Sequence, residues 1–148
     1  MARVEETLKQ ELIDLLQGEK IVSLITTDKK TKKPNLSIVS WLVAHQGGKT
    51  IKFALGHKAE SAFNIEETPD LLLGVVGAGS CYSISGQGTV SAVIDKTMKY
   101  RIVTVDVESV EDVIFYGGQI TQEPDYIKTY DAELAKKLDE EVYEMLKK

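Results

Sequence analysis

IKFALGHKAESAFNIEETP, residues 51–69, changes its periodicity halfway along, and the strand-to-helix switch organises the reading of the whole chain. Ile51, Phe53 and Leu55 alternate with Lys52 and Ala54, the period of a half-buried strand. The alternation breaks at Gly56 and gives way to a short helix with Ala59, Ala62, Phe63 and Ile65 as its apolar positions. Pro69 stops that helix, because the residue before a proline is pushed out of the helical region. A strand passing through Gly56, His57 and Lys58 into a helix N-terminus gathers a cation, the Ser61 hydroxyl and free backbone N–H groups, a seat suited to phosphate. The same pattern also serves an ordinary strand-to-helix connection.

Upstream, Val4, Leu8, Leu12, Leu15 and Leu16 recur at helical spacing and predict an amphipathic helix over 4–17, stopped by Gly18. Residues 21–27 read as a first strand. Asp28, Lys29, Lys30, Thr31, Lys32 and Lys33 form a solvated hairpin turn, and residues 35–45 alternate as the next strand. Gln46, Gly47, Gly48 and Lys49 turn the chain into the strand over 50–55, completing an antiparallel meander. Downstream, the apolar run 70–76 reads as a strand buried on both faces. Residues 82–93 form a strand bent or bulged at Gly86 and Gly88. Residues 99–110 form a sixth strand, 112–116 a short last one, and 126–146 a helix striped by Tyr130, Leu134, Leu138, Val142 and Met145. The expectation is a mainly β protein: one domain over 1–148, a six- to seven-stranded antiparallel barrel with a helix at each terminus. Closure would remove exposed strand edges.

The chain has 148 residues, is 43% hydrophobic and 28% charged, and carries a net charge of −5, which speaks against nucleic-acid partners. No apolar run approaches the roughly 20 residues that span a bilayer, and the acidic amphipathic start is unlike a secretory signal. A cytoplasmic location is expected. Cys81 is the only cysteine, and His45 and His57 lie in different segments, so neither a disulfide nor a zinc-type cluster is expected.

The elements 21–27, 34–41 (PNLSIVSW), 51–55, 64–69 (NIEETP) and 84–90 (ISGQGTV) follow one another in an order and spacing that resemble the pyridoxamine 5′-phosphate oxidase-like family, the FMN-binding split barrels. The resemblance spans nearly the whole chain. It implies a homodimer with two FMN sites at the subunit interface, the flavin lying along Ser37 to Trp41 and Phe53 to Leu55. On this basis Ser40, Trp41, Phe53 and Ala54 are expected near the ring, Lys58 and Ser61 near the phosphate, and Gln87 at a flavin edge of the partner subunit. Ser61 stands where the family carries a lysine. Lys58, three residues earlier on the same helix face, takes the cationic role. The family's arginine-rich phosphate motif is absent from Ser37, Ile38, Val39 and Ser40.

Read for themselves, several of these residues keep two roles. Trp41 either stacks on a ring system or fills a core or dimer interface. Gln87 either meets a ligand or faces outward. Tyr116 either closes over the site or ends a strand in a turn, and Tyr82 and Tyr126 read as packing residues. No nucleophile–base pair or carboxylate dyad stands out, as suits a protein whose cofactor carries the chemistry. The expected function is FMN-dependent oxidoreduction of an unidentified small substrate. The alternatives are a non-enzymatic flavin- or haem-type binding or storage protein, and a split-barrel dimer without cofactor. Pyridoxamine phosphate oxidase activity itself is not expected, because residues 126–148 hold neither Arg nor His for a second phosphate.

Overall fold

A computed structural model describes residues 4–148. In chain order its elements are β1 (Val4–Glu5), α1 (Gln10–Leu15), β2 (Val22–Thr27), β3 (Pro34–Val39), β4 (Leu42–Ala44), β5 (Thr50–Gly56) and α2 (Glu60–Glu67). There follow β6 (Asp70–Gly77), β7 (Ser80–Val90), β8 (Ile94–Asp95), β9 (Lys99–Asp112) and α3 (Ala132–Leu146). The strands pair antiparallel in one sheet of order β3-β2-β6-β7-β9-β5-β4, with β1 and β8 added on β9.

The two edges of that order, β3 and β4, are consecutive in the chain. Only Ser40 and Trp41 separate them. β3 pairs with β2 from Val22↔Val39 to Thr27↔Pro34, whereas β4 pairs with β5 from Leu42↔Phe53 to Ala44↔Ile51. A straight strand over 35–45 could not keep both partners, so the expected single strand is broken at Ser40–Trp41. The sheet curls to bring its edges to that corner, which makes it a split barrel with flanking helices.

Alternate residues point inward and are almost wholly aliphatic. Val22 and Leu24 of β2, Leu71, Leu73 and Val75 of β6, Ile84 of β7, Val103, Val105 and Val107 of β9, and Ile51 and Phe53 of β5 fill the barrel. Leu12, Ile13 and Leu16 join them from α1 and its C-terminal end, and Ala62 and Ile65 from α2. A second cluster forms outside the barrel, where Leu138, Val142 and Leu146 of α3 cover Val43, Ala54, Tyr100 and Ile102. β5 is therefore apolar on both faces, with Phe53 inside and Ala54 under α3.

Four expectations need correction. The N-terminal helix is confined to Gln10–Leu15; Val4 pairs instead with Glu111 and Glu5 with Val110, because β9 runs on far enough to offer them a partner. β6 is buried on one face only: Leu72 and Val76 lie outward and are more than a third exposed. Residues 113–116 form no strand, since β9 itself continues to Asp112. The C-terminal helix begins at Ala132, because the Asp131 side chain accepts from Leu134 N and caps it. Its buried stripe is Ala135, Leu138, Val142 and Leu146, leaving Leu134 exposed.

The bulge expected near Gly86 and Gly88 falls between Ser85 and Gly86, where the β7–β9 register shifts. A Cβ on Gly86 would stand 2.5 Å from the Asp106 carbonyl oxygen and 2.8 Å from Val105 Cγ1. Backbone on one side leaves no flexible neighbour to yield. Gly86→Ala is expected to lower stability by about 1–3 kcal/mol, read as a lower urea midpoint at unchanged slope; an unchanged midpoint would refute the close approach.

Candidate functional site

The corner that closes the barrel also opens a groove. At Ser40–Trp41 the chain leaves β3 for β4, and its carbonyls stay paired: Ser40 O accepts from Leu42 N (3.0 Å) and from the Tyr143 hydroxyl (3.3 Å), and Trp41 O accepts from Ala54 N (3.0 Å). Between this corner, β5 and the extended segment 126–130 lies a groove of about 420 Å3, lined by Ile38, Ser40, Trp41, Ala54, Leu55, Gly56 and that segment. Three residues expected around a ring, Ser40, Trp41 and Ala54, thus come together. Phe53 does not join them. Its side chain is fully buried in the barrel, on the opposite face of β5 from Ala54.

Trp41 fills a core, one of the two roles its sequence context allowed, and its remaining surface faces the groove. It packs against the second cluster, with its ring edge-on to Tyr100 at 5.8 Å and 73°, and it also lines the groove. The indole N–H donates to Asp139 Oδ1 at 2.8 Å. Asp139 also accepts from Lys128, whose ammonium donates to Glu19 Oε1 at 2.9 Å as well. The Tyr126 hydroxyl donates to the same Glu19 carboxylate. Sequence reading missed this cluster. Glu19 and Asp139 are 120 residues apart in the chain and look like ordinary surface carboxylates, and Tyr126 and Lys128 fell within a helix that does not extend to them.

Beyond Gly56, the last β5 residue in the groove lining, the chain passes through His57 and Lys58 into α2. Ala59, at its N-cap, supplies no side-chain cap; Ala62 N is taken by Ala59 O (3.1 Å), which leaves the N–H groups of Glu60 and Ser61 at the helix start. Lys58 is exposed beside them. Ser61 is buried, and its hydroxyl lies 3.0 Å from that of Ser37 on β3. The helix is fastened elsewhere by Asn64, whose Nδ2 donates to Thr26 Oγ1 (3.1 Å) and whose Oδ1 accepts from Lys29 N (3.1 Å). Glu66 holds Arg101 in a two-pronged pair at 2.9 Å on each arm, while Arg101 Nε donates to Ser91 O. The hydrogen bonds between the two hold the Glu66 carboxyl below its ordinary range and the guanidinium above its own. Arg101 had a signal in the sequence, as a charge in an otherwise aliphatic strand alternation. Gln87 lies apart on β7, exposed, donating to Asp70 Oδ1 at 3.2 Å. Tyr116 is fully exposed beyond β9 and outside the groove lining.

Burial pushes the Asp139 carboxyl up, but Lys128 and Trp41 donate to it and hold it, on balance, below the ordinary aspartate range. Burial likewise disfavours the Lys128 ammonium, and Asp139 and Glu19 outweigh that and raise its pKa. Since the folded Asp139 value lies below the unfolded one, its contribution to stability is complete above the ordinary value of about 3.9 and is lost as pH falls through the lowered one. Trp41 is the chain's only tryptophan and reports on this directly. Its emission is expected to hold steady as pH falls to about 4 and to change only below that; a transition centred above about pH 5 would show that Asp139 is not held ionised.

No family model matches the sequence, and no curated protein matches it either. Solved structures do match. HupZ of Group A Streptococcus superposes with a TM-score of 0.60 at 15% identity, over 78% of this chain and 99% of that one. A protein provisionally named a pyridoxamine 5′-phosphate oxidase, from Lactobacillus delbrueckii, gives 0.59 at 16% identity, over 70% and 93%. The haem storage protein HutZ from Vibrio cholerae gives 0.52 at 14% identity, over 76% and 95%. Identities this low speak for architecture, and the architecture agrees with the topology described above: the chain has the split-barrel fold of the pyridoxamine 5′-phosphate oxidase-like proteins.

Proposed function

We propose that the groove beside Trp41 seats the ring system of FMN and that the protein is an FMN-dependent oxidoreductase acting on a small substrate. One observation carries the reading: Ser40, Trp41 and Ala54 line a single groove whose wall includes Gly56, from which the chain passes through the exposed Lys58 into a helix without a side-chain cap. A groove of about 420 Å3 falls in the range of ordinary ligand sites. The donors suit the two ends of the molecule, an aromatic wall for a planar ring and a cation with free N–H groups for a dianion. When bound, the flavin supplies hydride exchange. The chain's part is placement: Trp41 and Ala54 wall the ring, Ser40 offers a hydroxyl at its edge, and Lys58 neutralises phosphate charge.

A homodimer belongs to the same proposal. The outer face of β3–β2–β6 carries Leu36, 65% exposed, in register with Ile25 and Leu72, and Ile38, 55% exposed, in register with Ser23 and Gly74. An apolar, nearly uncharged sheet face of this kind suits burial against a second copy. A second reading, binding or storage of a flavin- or haem-type ring without turnover, is favoured by the engagement of Ser61 with Ser37 and by the likeness to HutZ.

Purified protein is expected to take up FMN, turn yellow and lose Trp41 emission in proportion. Protein that stays colourless in excess FMN would overturn the proposal, and uptake without NAD(P)H oxidation by any acceptor would favour the storage reading. Lys58→Ala is expected to weaken FMN binding about tenfold or more, the scale of one charge-assisted hydrogen bond; unchanged affinity would remove Lys58 from the phosphate site. A Leu36→Glu, Ile38→Glu double variant should sediment as a monomer, and a retained dimer would place the interface elsewhere.

A further inference from the structure

Residues 121–130 join no strand of the sheet, and 126–130 form one side of the groove. Among the described residues, no backbone–backbone hydrogen bond ties this segment to the rest of the chain. The last before it runs from Ile120 N to Gly79 O (3.0 Å), and the next links Ala135 N to Asp131 O at the start of α3. What holds the segment is side chains. Lys20 donates to Glu123 at 2.9 Å, Tyr126 donates to Glu19, and Lys128 donates to both Glu19 and Asp139. Space lies on both sides, the ring groove toward β5 and a second groove of about 530 Å3 toward α3, lined by Glu19, Ala135 and Tyr143 among others. The apolar side chain of Ile127 is 83% exposed, so packing contributes little to its position.

The receiving residue is itself unusual. Glu19 has φ +60, left-handed backbone that a residue with a Cβ rarely adopts, directly after Gly18 at φ +106. Its N–H is held by the Tyr143 hydroxyl at 3.0 Å, which fixes the turn against α3. A backbone outlier of this kind persists where the surroundings over-determine it and often marks a switch or clamp. Here it presents a carboxylate to two residues of the same segment.

We propose that residues 121–130 are a strap that gates the ring groove, latched by the insertion of Lys128 between Glu19 and Asp139. The gate rests on the reading of the groove as a ring site; the latch does not. Because side chains hold the strap, with no backbone pairing among the described residues, it can lift without disturbing any strand pairing, the low-stability behaviour found in ligand-gating segments. Asp139 couples the two states to the groove wall, since it holds Lys128 and the Trp41 indole together.

The test uses the full chain with Lys128→Ala and Glu19→Gln, which break the latch from opposite sides, and Lys128→Arg as the conservative control. Without ligand, the first two are expected to be cut by chymotrypsin after Tyr126 and Tyr130 about tenfold faster than wild type, with greater acrylamide quenching of Trp41. Lys128→Arg should stay near wild type. Cleavage and quenching unchanged in both latch variants would overturn the latch. Stopped-flow mixing with FMN, followed by Trp41 emission, is expected to show association and dissociation both faster by about threefold or more once the latch is broken. Rates equal to wild type in a variant whose strap is demonstrably loose would overturn the gate. FMN binding to none of the proteins would overturn the ring-site reading and the gate with it, while the cleavage result would still decide the latch.

Discussion

Both edges of a seven-strand order meet in one bent segment of chain, and the rest of the molecule is arranged around that constraint. β3 and β4 sit at opposite ends of the sheet yet are separated by Ser40 and Trp41 alone. The sheet must curl until the two ends stand a dipeptide apart. That curl encloses the aliphatic core, and it obliges β7 to bulge at Gly86, where the Asp106 carbonyl approaches too closely for a side chain. It also turns the outward face of β4, β5 and β9 into a surface that α3 covers with Leu138, Val142 and Leu146.

The groove follows from the same corner. Where the strand breaks, its side chains no longer alternate into the barrel, and Trp41 is free to lie between the second cluster and the open space beside β5. Its orientation is over-determined by the Tyr100 edge and the Asp139 carboxylate. A rigid, half-buried aromatic wall is what a planar ligand needs, since little ordering is left to be done on binding. After β5, α2 is held by Asn64 and by the Glu66–Arg101 pair rather than by a side-chain cap, and Lys58 is exposed just before its N-terminus. Fixed walls and a side-chain-tethered strap divide the labour: the sheet sets shape, and the strap sets access.

Low sequence identity with a shared fold is intelligible on these terms. The fold asks for aliphatic residues at alternate positions, a bend after β3 and small residues where β7 meets β9, and many sequences meet those demands. The ligand asks for particular side chains at particular places. Ser61 illustrates the difference: it serves the fold by joining Ser37, in a place where the resemblance led one to expect a phosphate lysine.

Much of the barrel was legible in the residues themselves. The alternation in 21–27 and 50–55, the switch to a helix before Pro69 and the glycines at 86 and 88 all depend on neighbours close in sequence, and those local preferences agree with the tertiary result. Ser40, Trp41 and Ala54 were placed near one another through the resemblance, whereas Arg101, a charge alternating with valines, was not singled out. What the chain could not reveal was where local preference loses to distant partners. The helical spacing of 4–17 yields at its start to pairing with β9, and the helical spacing of 126–130 yields to Glu19. The strand 35–45 breaks because its halves have different neighbours, and Phe53 and Ala54 part to opposite cores. Periodicity determined which faces are apolar. Only the tertiary structure decided what each face meets, because pairing energies come from residues as much as a hundred positions away.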